Sequence, residues 1–299
     1  MNIVIVGAGA IGSLFGALLS KKNDVILVGR NSHIEAIRRN GLYIKDKTQL
    51  NVKIPSEFLI NNVTSSPDLL ILTVKSHDTD LAISQSRQII GDKTVVLSLQ
   101  NGLDNIDKIE KIIDRKQIIA GITTHGAFLS EFGVVKHTGK GQTVLGELDG
   151  KKTKRIEHIV DVFNKSGIET IASEKIISEI WVKTILNSSI NPLTAFFRCK
   201  NGYLLENPIL EKIVEQICKE STNIANINGI NISYEKMLKK TKEVIRNTSE
   251  NYSSMLQSFK NGKTTEIDSI NGKLANIGKK HSADTTMNEI LTHIIKSGY

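Results

Sequence analysis

Three glycines near the start of the chain, Gly7, Gly9 and Gly12, have the G-x-G-x-x-G spacing of a loop that can hold a pyrophosphate. One glycine permits a tight turn, one lets the backbone approach the phosphates, and one allows a helix to pack closely on a strand. An apolar run from Ile3 to Val6 precedes them, and leucines on a helical period follow. The pattern predicts a dinucleotide site at a helix N-terminus, where free N–H groups favour an anion. A buried turn without a ligand is the alternative. The loop positions are Gly7, Ala8, Gly9, Ala10, Ile11 and Gly12.

A second apolar run, from Val25 to Val28, ends at an arginine, Arg30. An Asp or Glu at this position would accept a hydrogen bond from the ribose of NAD, whereas an arginine can hold the 2'-phosphate of NADP. The next acidic residue is Glu35. The pattern therefore favours NADP(H) over NAD(H).

Further along the chain, three polar residues recur at intervals of four: Lys183, Asn187 and Asn191. Residues four apart share a helix face, so these side chains would follow a line about 12 Å long at 1.5 Å per residue. Pro192 disfavours the α conformation of the residue before it, so we expect the helix to bend or loosen there. A solvated surface lysine is the alternative interpretation of Lys183.

Two predicted strands end in polar residues. The run from Leu69 to Val74 is followed by Lys75, and the run from Thr94 to Leu99 leads to Asn101. The carboxyl ends of parallel strands form the edge of an α/β sheet at which ligands bind. We favour functional roles for both residues over a strand-end charge and a simple turn.

The order of the predicted elements divides the chain into two domains. Strands alternate with helices up to a short strand near Ile168–Ile171, after which the pattern is almost wholly helical. We therefore predict a Rossmann-type α/β dinucleotide-binding domain over residues 1–173 and an all-helical domain over 174–299. Within the first domain, Gly133–His137 and Gln142–Leu148 are predicted to form a hairpin.

The segment from Asn251 to Asn271 carries further candidates. Asn261-Gly262 predicts a break between two helices, and Thr265 with Asp268 is a capping signal for the second helix. Glu266 is then expected in the first turn of that helix, folded back toward the helix of Ser254. A helix-start residue stabilised by the helix dipole is the alternative role for Glu266.

Composition narrows the function classes. The formal net charge is +8, but the lysines are scattered and aromatic residues make up only 5%, so a nucleic-acid-binding surface is not predicted. No apolar run reaches the length of a membrane span. Cys199 and Cys218 lie far apart without metal-ligand spacing, which favours a reducing cytoplasm and no metal site. His125 and His137 are interpreted as structural.

Several stretches together resemble the ketopantoate reductase (2-dehydropantoate 2-reductase) family. They are GAGAIG at the start, TVKS around Lys75, SLQNG around Asn101, HTGKGQTVLGE from His137, WVKTILNSSINPLTA around Lys183 and SSMLQSFKNGKTTEIDSING around Glu266. They span both predicted domains in the family's order. The resemblance implies a Rossmann domain followed by a helical domain, with the active site in the cleft.

The resemblance also implies roles for individual residues. The general acid of the family matches Lys183, and the acidic residue that holds the substrate hydroxyl matches Glu266. Lys75 matches a lysine beside the cofactor, and Arg30 matches the arginine that reads the NADP phosphate. Ser254 matches the substrate serine, with Ser253 as a one-residue alternative. The asparagines that contact substrate match Asn101, Asn187 and Asn191.

The resemblance implies NADPH-dependent reduction of 2-dehydropantoate, a small 2-keto acid, to (R)-pantoate in pantothenate and coenzyme A biosynthesis. A homodimer is compatible with the sequence. Another NADP-dependent 2-keto acid reductase or an opine-type dehydrogenase of the same architecture is the first alternative. A non-catalytic nucleotide-sensing protein is the second, and it predicts NADPH binding without turnover.

Overall fold

The computed structural model describes residues 1–298 and divides them into two compact units. Unit 1 comprises Met1–Gln100 and Asn105–Ile177, and unit 2 comprises Asn101–Asp104 and the chain from Ser178 onward. The two units divide after Ile177, and the short segment from Asn101 to Asp104 belongs to unit 2. The predicted domain limits themselves stay a prediction.

Unit 1 contains all the strands and five of the helices found in the described residues. The strands are β1 (Asn2–Val6), β2 (Asp24–Val28), β3 (Leu42–Asp46), β4 (Leu50–Val52), β5 (Ser56–Glu57), β6 (Leu69–Leu72), β7 (Val95–Ser98), β8 (Ile118–Thr123), β9 (Gly126–Glu131), β10 (Val134–Gly139), β11 (Thr143–Glu147) and β12 (Thr170–Ala172). The helices are α1 (Ala10–Leu19), α2 (Asn31–Asn40), α3 (Thr79–Ser86), α4 (Asn105–Glu110) and α5 (Lys154–Lys165).

Eight strands form the main sheet in the order β12-β11-β8-β7-β6-β1-β2-β5. All neighbouring pairs are parallel except β11 with β8. β1 lies between β2 and β6, so the strand order reverses beside it. In an open α/β sheet, ligands bind at the carboxyl ends of the strands at such a switch point. The α/β class with a parallel N-terminal sheet is confirmed.

A second sheet corrects the predicted hairpin. β10 pairs antiparallel with β9 and parallel with β3, whereas β11 pairs with β8 and β12 in the main sheet. The prediction that Gly133–His137 pairs with Gln142–Leu148 was therefore wrong. The hairpin turns instead at Gly133, whose φ of 81° suits glycine. The strand before this turn, β9, is only half-buried and lacks the apolar alternation that marks a strand in sequence.

Helix α1 packs into the core of unit 1 because nearly all of its side chains are buried. Phe15 is fully buried and makes edge-to-face contacts with Phe163, at 6.1 Å between ring centroids, and with His125, at 5.7 Å. Aromatic pairs in this geometry stabilise a core beyond their buried area. The helix that begins at the glycine loop is thus held firmly on the sheet.

Unit 2 is helical in the described residues. Its helices are α6 (Ile176–Phe197), α7 (Tyr203–Glu206), α8 (Pro208–Ile227), α9 (Tyr234–Asn247), α10 (Ser254–Lys260), α11 (Lys273–Lys280) and α12 (Thr286–Ser297). α6 begins at the end of unit 1 and continues through Pro192. The predicted all-helical C-terminal region is confirmed. Across residues 1–298, no helix combines the length and apolar character that crossing a membrane requires.

The segment after Glu266 differs from the prediction. A single π-helical turn, Asp268–Gly272, precedes α11, and its N-cap residue is Ile267, which makes no side-chain cap hydrogen bond. The prediction that Thr265 and Asp268 cap an α-helix was therefore wrong. Glu266 lies just before the π turn rather than in the first turn of an α-helix. Such π turns in helices are frequent at functional sites.

The buried ring of Phe15 gives a stability prediction. Replacing Phe15 with alanine leaves a cavity under α1, so we expect a loss of about 3–5 kcal/mol in the free energy of unfolding, measured by denaturant titration. Phe132→Ala is the control, because that ring is 62% exposed; its expected cost is within about 0.5 kcal/mol. Equal costs for the two variants would contradict the packing described here.

Candidate active site

The first and third glycines of the loop are required by packing within unit 1. Gly7 has a φ of 110°, and a Cβ there would lie 2.5 Å from the backbone nitrogen of Val74. A Cβ on Gly12 would collide with the carbonyl oxygen of Gly7. Any other residue at either position would therefore push the loop away from β6 or α1 away from the loop.

The second glycine has space around it instead. The nearest atom to a Cβ on Gly9 is the Gly7 carbonyl oxygen at 4.0 Å. Gly9 is the N-cap residue of α1, and the first backbone hydrogen bond of the helix runs from Ser13 to its carbonyl oxygen. The N–H groups of Ala10, Ile11 and Gly12 precede that bond, as in any first helical turn. Open space beside these donors fits a dinucleotide pyrophosphate.

Arg30 and Lys75 follow the two neighbours of β1 in the sheet. Arg30 comes after β2, its side chain is 85% exposed, and its Nη2 lies 3.5 Å from an Asp78 carboxylate oxygen. That pair is loose and solvated, so it contributes little stability. Lys75 follows β6 as the N-cap residue of a 3₁₀ turn, Ser76–Asp78. Because β2, β1 and β6 are parallel neighbours, the structure brings these residues and the glycine loop to one edge of the sheet.

In unit 2, α6 carries Lys183, Asn187 and Asn191 at the helical spacing that the sequence predicted. Burial lowers the pKa of Lys183 to about 8, and the charge of Glu266 acts in the opposite direction. A lysine in water has a pKa of about 10.4. Lys183 thus differs from a fully solvated lysine, and near neutral pH it is still mostly an ammonium.

Glu266 lies beside the segment that contains Asn101. Its side chain is 7% exposed, and its Oε2 accepts a hydrogen bond from Asn101 Nδ2 at 3.3 Å. The same carboxylate acts on Lys183 through its charge. The structure therefore brings together the amide of Asn101, the carboxylate of Glu266 and the ammonium of Lys183 within unit 2.

The backbone fixes the position of Asn101. The N–H of Leu103 donates to the carbonyl oxygen of Ser269 at 3.1 Å. Gly102 has a φ of 100°, and a Cβ there would lie 2.8 Å from the Cβ of Ser269. Asn101–Asp104 is thus seated on the π turn that follows Glu266. Sequence reasoning placed Asn101 at the end of a strand but gave no sign of this contact.

The two neighbouring serines have different environments. Ser253 is buried, caps α10 by accepting from the N–H of Leu256 at 3.1 Å, and accepts from Thr194 Oγ1 at 2.7 Å. Ser254 is exposed at the first position of α10. The hydroxyl of Ser253 is therefore engaged within unit 2, whereas Ser254 is exposed to solvent.

Sequence reasoning missed Gln100, which holds the end of β7. Its buried amide donates to the carbonyl oxygen of Val74 at 2.9 Å and to Thr79 Oγ1 at 2.8 Å, and it accepts from Ser98 Oγ at 3.1 Å. These bonds tie the chain after β7 to the chain after β6. The only signal was a glutamine beside Asn101, which is uninformative without the fold.

The histidines contact one another in unit 1. His125 Nδ1 lies 3.0 Å from His137 Nε2, and His137 Nδ1 lies 2.8 Å from Thr48 Oγ1. Burial, with a contribution from His137, lowers the pKa of His125 to about 4. Across residues 1–298, no group of three or more His, Cys, Asp and Glu side chains is arranged to hold a metal ion.

The polar groups described in unit 2 can act on a carbonyl compound. An ammonium with a lowered pKa can polarise a carbonyl and donate a proton, a carboxylate can accept from a hydroxyl, and amides can donate to carboxylate oxygens. Unit 1 separately offers an anion-binding loop with an exposed arginine at the next strand end. The groups of unit 2 suit a reaction of a small oxo acid, and the glycine loop and arginine of unit 1 suit a dinucleotide.

Comparison with known proteins agrees with these features. The family model described as "Ketopantoate reductase PanE/ApbA" matches residues 3–150, and its C-terminal counterpart matches residues 175–298. A 2-dehydropantoate 2-reductase of Pyrococcus horikoshii is 44% identical over 99% of this chain and 97% of its own length. The corresponding protein of Archaeoglobus fulgidus is 33% identical with the same coverage.

Solved structures match this chain over nearly its whole length. A D-mandelate dehydrogenase with NADH and anilino(oxo)acetate has a TM-score of 0.95 at 29% identity, covering 100% of this chain and 98% of that chain. A PanE/ApbA family ketopantoate reductase of Ralstonia eutropha has a TM-score of 0.92 at 25% identity with the same coverage. Matches over both halves, together with the residues above, show that the chain belongs to the ketopantoate reductase family.

Proposed function

We propose that this chain catalyses the NADPH-dependent reduction of 2-dehydropantoate to (R)-pantoate. The observation that carries the proposal is the Lys183 ammonium, whose pKa is lowered to about 8 by burial and which lies within the electrostatic reach of Glu266. The 44% identical relative named 2-dehydropantoate 2-reductase supports the same reaction. In that role the chain would serve pantothenate and coenzyme A biosynthesis in the cytoplasm.

Lys183 is the proposed proton donor. When bound, the nicotinamide supplies the hydride that adds to the carbonyl carbon, leaving negative charge on the carbonyl oxygen. The Lys183 ammonium stabilises that charge and transfers a proton to the oxygen, so an alcohol forms and a neutral amine remains. A pKa near 8 keeps the lysine protonated at neutral pH and makes the proton easier to release.

Glu266 is the proposed selector of the substrate hydroxyl. 2-Dehydropantoate carries a hydroxyl two carbons from its carbonyl carbon, and an ionised carboxylate accepts from such a group. A site built to bind a hydroxyl rejects the analogue that lacks it, because the buried polar group is then left unpaired. Asn101, Asn187, Asn191 and Ser254 complete the proposed site by donating to substrate oxygens.

Arg30 is the proposed determinant of NADPH preference, and the glycine loop with Lys75 completes the cofactor site. The guanidinium follows β2 and is 85% exposed, so it is available to a 2'-phosphate. Its loose pair with Asp78 costs little to break. The solved D-mandelate dehydrogenases are described with NADH, so cofactor preference is a separate question from the fold.

A second candidate function follows from the TM-score of 0.95 to D-mandelate dehydrogenase. In that case the chain would reduce 2-keto acids without a hydroxyl, such as phenylglyoxylate. Glu266 argues against this function, since a buried carboxylate is costly beside an apolar substrate group.

NADPH oxidation measured over a panel of 2-keto acids tests the proposal. We expect kcat/KM for 2-dehydropantoate to exceed that for 3,3-dimethyl-2-oxobutanoate, which lacks only the hydroxyl, by up to roughly 10⁴-fold. A preference for phenylglyoxylate would establish the second candidate. NADPH binding without turnover of any acid would indicate a nucleotide sensor.

Removal of the proposed acid should abolish most turnover without affecting the cofactor. For Lys183→Ala we expect kcat to fall by about 10²-fold or more, because general acid catalysis is lost, while the Kd for NADPH is retained. Lys212→Ala, on the exposed face of α8, is the matched control and should keep its turnover. Near-normal kcat in Lys183→Ala would remove this lysine from the mechanism.

Removal of the proposed phosphate ligand should change cofactor preference. For Arg30→Ala we expect the Kd for NADPH to rise at least about tenfold, since a charged hydrogen bond to phosphate is lost, with little change for NADH. Fluorescence titration of both cofactors measures this. Arg39→Ala, at the other end of α2, is the control. Equal weakening of both cofactors would place phosphate recognition elsewhere.

A further inference from the structure

We propose that Asn271 is a positioning residue for this reaction, because its side chain fastens the π turn that follows Glu266 to the helix that carries Lys183 and Asn187. The kinetic part of this inference rests on the proposed function. Asn271 touches none of the proposed substrate ligands through its own side-chain hydrogen bonds, so its effect would pass through the backbone.

Pro192 interrupts the hydrogen-bond ladder inside α6. Proline has no N–H, so it cannot donate to the carbonyl oxygen four residues earlier, which belongs to Ser188. Asn271 Nδ2 donates to that carbonyl oxygen at 3.2 Å. The amide thus bonds the helix at the place where the proline interrupts its ladder, one residue after Asn187.

The second hydrogen bond of Asn271 fixes its orientation. Asn271 Nδ2 also donates to Asn288 Oδ1 at 2.9 Å, and both side chains are 0% exposed. Both partners of Nδ2 are oxygen atoms, so only one orientation of the amide satisfies them. Loss of this buried donor would leave the carbonyl oxygen of Ser188 and Oδ1 of Asn288 without this hydrogen bond.

Asn288 lies at the start of α12 and is itself held by Glu220, a buried carboxylate on α8. Glu220 accepts from the backbone N–H groups of Met287 at 2.8 Å and Asn288 at 2.9 Å, and from Asn288 Nδ2 at 2.7 Å. Asn288 Nδ2 also donates to Ser221 Oγ at 3.1 Å. Asn271 is therefore anchored at a hydrogen-bonded junction of α8 and α12.

The backbone connects Asn271 to Glu266 over a short distance. Asn271 belongs to the π turn Asp268–Gly272, and the carbonyl oxygen of Glu266 accepts from the N–H groups of Ser269 and Ile270, each at 3.1 Å. The carbonyl oxygen of Ser269 in turn accepts from the N–H of Leu103, two residues after Asn101. Release of Asn271 would therefore shift Glu266 and its partner Asn101 relative to Lys183.

Substrate discrimination tests this role. In Asn271→Ala we expect kcat/KM for 2-dehydropantoate to fall about tenfold or more, as small displacements of a positioned group do, while kcat/KM for 3,3-dimethyl-2-oxobutanoate changes less. The ratio of the two values would therefore fall. A merely structural role would lower both values by the same factor, and an unchanged ratio would overturn the proposal. Asn271→Ser is the second variant, with the same expectation.

Asn201→Ala is the matched control. Asn201 is another buried asparagine of unit 2, and its Nδ2 donates to Thr248 Oγ1 at 2.9 Å. That hydrogen bond reaches neither α12 nor the π turn. We expect it to lower thermal stability without changing the ratio of the two substrates; a fall in that ratio as large as for Asn271→Ala would count against a specific role of Asn271.

Pro192→Ala tests the origin of the constraint. This substitution returns an N–H four residues after Ser188, so the carbonyl oxygen no longer depends on Asn271. We expect Asn271→Ala to lower the ratio of the two kcat/KM values by a smaller factor in the Pro192→Ala background than alone. Substitutions of coupled residues are not additive in a double-mutant cycle. Full additivity would contradict the link between the proline and the asparagine.

A measurement without turnover separates this inference from the proposed function. The titration of Lys183 can be followed by NMR of ¹³C-methylated lysines, with the resonance assigned from Lys183→Arg. Displacement of Glu266 in Asn271→Ala should lower the midpoint from its value in the unsubstituted chain, because a stabilising negative charge moves away. An unchanged midpoint overturns the positioning role even if 2-dehydropantoate is reduced. A lowered midpoint supports that role even if the substrate is another acid.

Discussion

A lysine ammonium that is partly removed from water near a buried carboxylate is the constraint on which the helical half of this protein depends. Removing either charge from water is unfavourable, and the opposite charge of the other group, together with the hydrogen bond from Asn101 Nδ2 to Glu266, offsets part of that cost. Burial lowers the pKa of Lys183 to about 8, and Glu266 limits that decrease. The length of α6, the π turn and the seating of Asn101 all serve to hold these groups in place.

The candidate sites of the two units depend on different kinds of residue. In unit 1, glycines are needed where a side chain would collide, as at Gly7 and Gly12, and space remains at Gly9 beside the start of α1. In unit 2, side chains rather than the backbone supply the chemistry, and buried amides such as Asn271 replace hydrogen bonds that the helices cannot make themselves. The glycine loop of unit 1 thus depends on residues without side chains, whereas the proposed proton-donor site of unit 2 depends on buried polar side chains.

The sequence predicted what is local. The glycine loop, the strand ends at Arg30 and Lys75, and the four-residue spacing from Lys183 depend on neighbours in the chain, and the helices and most strands followed from periodicity. The partners that come from distant parts of the chain were not predictable. β10 pairs with β9 and β3 rather than β11, and Asn101 joins unit 2 through Ser269. The π turn also had no signal, because the capping pattern around Glu266 favoured an ordinary helix.

The pH dependence of kcat/KM for 2-dehydropantoate at saturating NADPH tests the central claim most directly. If Lys183 must be protonated to donate its proton, kcat/KM should be level below a pH of about 8 and should decrease tenfold per pH unit above it. A profile that stays level to the pKa of about 10.4 of an ordinary lysine, or that rises through pH 8, would contradict a buried lysine acid at this site.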